Sequence, residues 1–152
     1  TRLQGDWSSD VCSSDLGVRH VAAAGWTAAA AIDLAQSACR PPWTWPAPPA
    51  DLAALDAACV APRWREVAPV VGRYLSGKAF ASWIPYQADA AGSLVSGLSL
   101  ALAVLRVECA RACESDRRLL DRDCLMTAIR QADLLLAHYA DGAALATALA
   151  RS

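Results

Sequence analysis

Between Ser93 and Cys113 the chain places Leu94, Leu98, Ala101 or Leu102, Leu105, Cys109 and Ala112 at steps of three and four residues. That is the spacing of one face of an α-helix. The upstream part of this run, Ala90 to Leu105, contains no charged residue, so it needs apolar neighbours on most sides or a bilayer. It is shorter than the roughly 20 residues that cross a hydrocarbon core, and it passes in phase into Arg106, Glu108 and Arg111. The expectation is therefore the central helix of a bundle, with Gly92, Ser96 and Gly97 allowing neighbours to approach closely.

The rest of the sequence is patterned to surround such a helix. β-Branched residues are sparse and no run alternates cleanly, which argues against strands. Val21 to Ala38 reads as a first helix, with Val21, Trp26, Ile32 and Leu34 among many alanines, stopped by Pro41 and Pro42. The following RPPWTWPAPP, Arg40 to Pro49, cannot continue a helix because proline lacks the amide and clashes with the preceding turn. It reads as an extended connector. Asp51 is placed to cap a short helix to about Cys59. Pro62 suits the first turn of the next, which runs through Trp64, Val67, Val71, Leu75, Phe80 and Trp83 to Pro85. Pro69 inside that run implies a kink or two helices meeting near Ala68. Asp121 is expected to cap a helix with apolar Leu125, Ile129, Ala132, Leu136 and Tyr139, and Asp141 a last one to Leu149. Short connections favour antiparallel neighbours, so the fold class is all-α, a bundle of five or six helices with a Pro/Trp-rich connector.

The opening TRLQGDWSSDVCSSDL stands apart, with no periodicity and a repeated Ser-Ser-Asp. It resembles a translated sequencing adapter: one reading frame of a common adapter gives Asp6 to Asp15 in order, and the adjoining bases accommodate Thr1 to Gly5 and Leu16. Residues 1–16 are expected to be a non-native, disordered leader, and residues 17–152 a single helical domain truncated on its N-terminal side. Removing Arg2, Asp6, Asp10 and Asp15 from the 14 basic and 15 acidic residues leaves 13 and 12. Near-neutrality of this kind argues against nucleic acid as a partner. Setting Cys12 aside, the five remaining cysteines match no secreted disulfide framework, which points to a cytoplasmic setting.

Few residues invite a chemical role. Cys109 and Cys113 share a helix face, and with Cys124 and His138 they offer soft ligands for zinc or a redox site. There is no CxxC pair, however, and cysteine is also a small buried hydrophobe. His138, near Asp133, Tyr139 and Asp141, has the neighbours for acid–base work, but no nucleophile motif accompanies it, and a histidine near a helix C-terminus is explained by the helix dipole. Trp43 and Trp45, with Trp64, Trp83 and Tyr86, could line a groove or seal the bundle; sealing is the simpler reading. No catalytic, cofactor-binding or metal-ligating residue is assigned.

Three stretches, RYLSGKAFASWIPYQ (Arg73 to Gln87), LALAVLRVECARAC (Leu100 to Cys113) and LDRDCLMTAIRQADLLLAHYAD (Leu120 to Asp141), carry a family likeness. Together they resemble the C-terminal helical region of bacterial YkgJ-type cysteine-cluster proteins, which are similar to flagellin lysine-N-methylases. The resemblance implies a parent whose N-terminal cysteines chelate zinc or an iron–sulfur centre, and no ligand carries over onto this chain. The expected function is a non-catalytic accessory domain whose partner is the missing N-terminal domain of the same chain, with neither nucleic acid nor membrane as partner. The alternative is a self-contained ligand-binding or dimerisation domain of a regulator, with an enclosed cavity lined by Trp64, Phe80, Trp83 and the Leu94 to Leu105 face, or a two-helix dimer surface.

Overall fold

Thr27 opens the first described helix: its Oγ1 accepts a hydrogen bond from the Ala30 amide at 3.1 Å, supplying one of the partners that the first turn lacks. The computed structural model describes residues 27–81 and 90–149. The leader, Val21, Trp26, Trp83, Pro85 and Tyr86 lie outside them. Helix α1 is Ala28–Ser37, so the helix holding Ile32 and Leu34 begins at Ala28, after its Thr27 cap, rather than at Val21.

After the connector, α2 (Leu52–Leu55) leads through a wider π-type turn (Asp56–Val60) and a tight 3-10 turn (Ala61–Arg63) into α3 (Trp64–Ala81). Helical dihedrals persist throughout, so two expected helices are one continuous, irregular path. Pro62 accounts for the irregularity: it has no amide to donate to the Ala58 carbonyl and its ring crowds that carbonyl, so the turn before it widens. Pro69, by contrast, sits inside α3 without dividing it. Both Pro69 and Arg65, whose carbonyl loses its donor, are exposed, so water can satisfy that group. Asp51 takes the N-cap position but its side chain makes no capping hydrogen bond.

Helix α4, Ala90–Asp116, is the axis of the bundle. Every residue from Ser99 to Ala110 except Arg106 is buried. A helix apolar on all sides must be enclosed, and α1, the Leu52–Val60 segment, α3, α5 and α6 all pack against it. Helix α5 (Arg122–Asp133) follows a short turn and returns antiparallel to α4; a π-type stretch (Leu134–Tyr139) and α6 (Gly142–Leu149) complete the chain. Asp121 caps α5 by accepting from the Cys124 amide at 2.9 Å, and Asp141 caps α6 by accepting from Ala143 and Ala144, as their positions predict.

The ends of the bundle are tied by backbone hydrogen bonds. Arg40 N donates to Tyr139 O at 2.8 Å and Asp141 N to Ala38 O at 2.7 Å, pairing Cys39 with Ala140 as an isolated antiparallel bridge. The protein is thus an all-α bundle of six α-helices among the described residues. None of them is long and apolar enough to cross a membrane.

One sequence expectation fails within the described core. Phe80 was placed on the apolar face of α3, yet it is 90% exposed, because α3 buries only Val67, Ala68, Val71 and Leu75 and its last turn extends past this contact stripe. Leu105→Ala, which empties a fully buried site, is expected to cost about 2–5 kcal/mol in urea unfolding, whereas Phe80→Ser should change stability by less than about 0.5 kcal/mol.

Candidate functional site

The end of α4 is closed by a left-handed residue. Arg117 has φ 52°, Arg118 N donates to Cys113 O at 3.1 Å and Arg117 N to Glu114 O at 3.2 Å. These are the paired bonds of a Schellman cap. Glycine is the usual residue there; the arginine accepts an unfavourable conformation, and the next side chain, Arg118, turns back across the α4–α5 corner. Its two terminal nitrogens meet Asp116 and Asp121, each at 2.9 Å.

Beneath this corner the cysteines collect. Cys109 and Cys113 of α4 and Cys124 of α5 are buried, and Cys124 is one of the neighbours that raise the Cys113 thiol. Cys124 Sγ also approaches Asp116 Oδ2 at 3.8 Å. Cys59, absent from the sequence-level group, joins from the π-type turn: it lines a 570 Å³ pocket with Cys113, Arg117 and Arg118, and its carbonyl accepts from Leu120 N at 3.0 Å. No sequence spacing signals this, because a tertiary contact brings Cys59 to the corner. His138 lies elsewhere, exposed, with its carbonyl accepting from Arg40 Nη2. Cys39 is also apart, its thiol donating to Ala35 O at 3.3 Å. Among the described residues no three His, Cys, Asp or Glu side chains are placed to hold a metal ion.

The environment keeps Cys109, Cys113 and Cys124 protonated. Burial, reinforced by the neighbouring thiols, pushes Cys113 up to about 12 and raises Cys109 further. Cys124 is also raised by burial, with Arg118 working against the rise. Since the thiolate is the nucleophile and metal ligand, the cluster is a chemically quiet packing element in its resting form.

A second polar group lies deep in the bundle. Glu108 is 2% exposed; its Oε1 accepts from Trp45 Nε1 at 3.1 Å and its Oε2 lies 3.3 Å from Arg111 Nε. Arg111 also donates from Nη2 to Pro46 O at 3.1 Å. Burial raises the Glu108 carboxyl, while Arg111 and the indole N–H pull it down. The connector is thereby bolted to α4. Trp45 is 7% exposed and seals the bundle, while Trp43 stacks on Tyr139 with ring centroids 4.8 Å apart.

The acid–base set around His138 does not assemble. Asp133 accepts from Tyr74 Oη at 3.0 Å and pairs with Lys78 at 2.6 Å, joining α3 to α5, and Asp141 is occupied as the α6 cap. Trp64 faces Arg106, whose guanidinium lies 5.0 Å from its ring centroid and pairs with Asp56. Of the residues expected to line an enclosed cavity with Trp64 and the α4 face, Phe80 points to solvent and Trp83 lies outside the described residues.

A different concavity is present. Helices α3 and α5 each pack on α4 and leave between them a groove of 710 Å³, floored by Val67, Val70, Leu125 and Met126 and rimmed by Arg63, Arg73, Arg118 and Arg122. The sequence placed Val67 and Leu125 on apolar faces but gave no sign that they would share an open groove.

Comparison with family models, with curated proteins and with solved structures finds no match.

Two outcomes are expected here. At pH 8, iodoacetamide followed by peptide mapping should alkylate Cys113 about a thousandfold more slowly than an unperturbed thiol, the difference closing in denaturant. For Glu108, a folded-state value above the ordinary 4.5 means that the folded protein holds this proton more tightly than the unfolded chain. Its contribution to stability is complete below 4.5 and declines as pH rises through the folded value. The stability gap between wild type and Glu108→Gln, from urea unfolding across the acidic to neutral range, should move against wild type as pH rises.

Proposed function

We propose that the chain is a non-catalytic helical accessory domain serving a metal-chelating cysteine-cluster protein of the YkgJ type. The observation that carries this reading is the engagement of Glu108, enclosed by Trp45 on one side and Arg111 on the other and so committed to holding the connector on α4. Two partly exposed ties act in the same way: Tyr74 with Asp133 joins α3 to α5, and Arg106 with Asp56 joins α4 to the π-type turn. Polar groups used as ties between segments suit a scaffold. The sequence likeness of Arg73 to Gln87, Leu100 to Cys113 and Leu120 to Asp141 supplies the family.

A scaffold of this kind needs a face for its neighbour. Phe80, 90% exposed near the end of α3, and Val95, 44% exposed in the first turns of α4, flank the α3–α4 connection and are the apolar positions on which a neighbouring domain would seat. The test is to read the genomic locus across the Leu16 and Gly17 codons with a library built on a different adapter. Closely spaced cysteine codons in frame upstream of Gly17 are expected; a start codon just upstream with no such cluster would overturn the proposal.

A further inference from the structure

The groove between α3 and α5 is closed at one end and open at the other. Val67 and Val70 lie across from Leu125 and Met126, while further along both helices Tyr74 and Lys78 meet Asp133. The two helices therefore run in the same direction, and the Tyr74–Asp133–Lys78 tie shuts the far end. The near end opens at the α4–α5 corner, where Leu119 is 45% exposed and Met126 37% exposed.

The rim carries an unbalanced charge. Its acidic members are already engaged, Glu66 with Arg63 at 2.7 Å and Asp121 with Arg118 at 2.9 Å. Arg73 on the α3 wall and Arg122 on the α5 wall also line the groove, and neither takes part in any of the ion pairs found among the described residues. Arg122 stands at the open end and Arg73 toward the tie, with the apolar residues between them, and this uncompensated positive charge complements a ligand with an anionic head and a hydrocarbon tail, since arginine's fork fits a carboxylate.

Shape separates the kinds of anionic amphiphile. A helix about 10 Å across would fill the 710 Å³ in less than about two turns before meeting the closed end. That is too short for a docked peptide helix. A flexible single chain enters from the open end and stops at the tie, and the volume lies within the range of small-molecule pockets.

We propose that this groove binds a single-chain fatty carboxylate, its tail on Val67, Val70, Leu125 and Met126 and its head at Arg122 at the open end. The inference does not depend on the accessory-domain reading.

Met126 is the only methionine in the chain, so methyl-labelled methionine gives one internal resonance inside the groove, assigned by its loss in Met126→Leu. Titration of the full chain with dodecanoate below its micelle concentration is expected to shift that resonance saturably. Dodecyltrimethylammonium, which has the same tail and the opposite charge, should not. The Arg73→Gln/Arg122→Gln variant should keep its unfolding midpoint and bind dodecanoate at least fivefold more weakly, and Val70→Asp should abolish the shift. Equal binding of both surfactants, or an undiminished affinity in the arginine variant, would overturn the proposal by reducing the groove to a non-specific apolar patch. Saturation by an acidic helical peptide or by anionic phospholipid vesicles, with no response to dodecanoate, would overturn it in favour of a protein or membrane surface.

Discussion

The enclosure of α4 is the constraint on which the other contacts depend. From Ser99 to Ala110 only Arg106 reaches solvent even partly, so apolar surface must be covered around the whole circumference, and each remaining helix contributes one face to the task. Alanine and other small residues along α4 let those helices approach closely, and burial of this area is the main favourable term in folding. The connector completes the cover where no helix is available. Its prolines prevent helix formation and its Trp45 supplies the area that a helix would otherwise have provided.

Placing Glu108 inside this enclosure has a cost that the surroundings must offset. A buried carboxylate is tolerated when it is hydrogen-bonded and paired, and both partners come from outside its own helical turn or from its edge: the Trp45 indole from the connector and Arg111 one turn on. The arrangement helps to fix where the connector lies, because Trp45 donates to the carboxylate and buries its ring at the same time. The same logic recurs at the α4–α5 corner, where the left-handed Arg117 turns Arg118 back to bridge Asp116 and Asp121 above the buried thiols.

The two ends of the α3–α5 pair differ in a related way. Tyr74, Lys78 and Asp133 join the helices at one end, and nothing comparable joins them near Val70 and Met126. Near that end each helix is held instead by α4, on which both of them pack. A groove with an apolar floor and a basic rim is the outcome of these restraints.

Much of the helical order was legible in the sequence, because three- and four-residue spacing, the prolines of the connector and the capping aspartates Asp121 and Asp141 are local signals. The apolar pattern of Leu94 to Ala112 was sufficient to mark α4 as central. Local signals could not say that Pro62 would follow a widened turn while Pro69 would be absorbed, since both prolines and the residues whose carbonyls they free, Ala58 and Arg65, are exposed. Nor could they expose Phe80, bring Cys59 to Cys113, or leave Arg73 and Arg122 lining one groove. Those features depend on where separately formed helices meet, and the packing around α4 decided them.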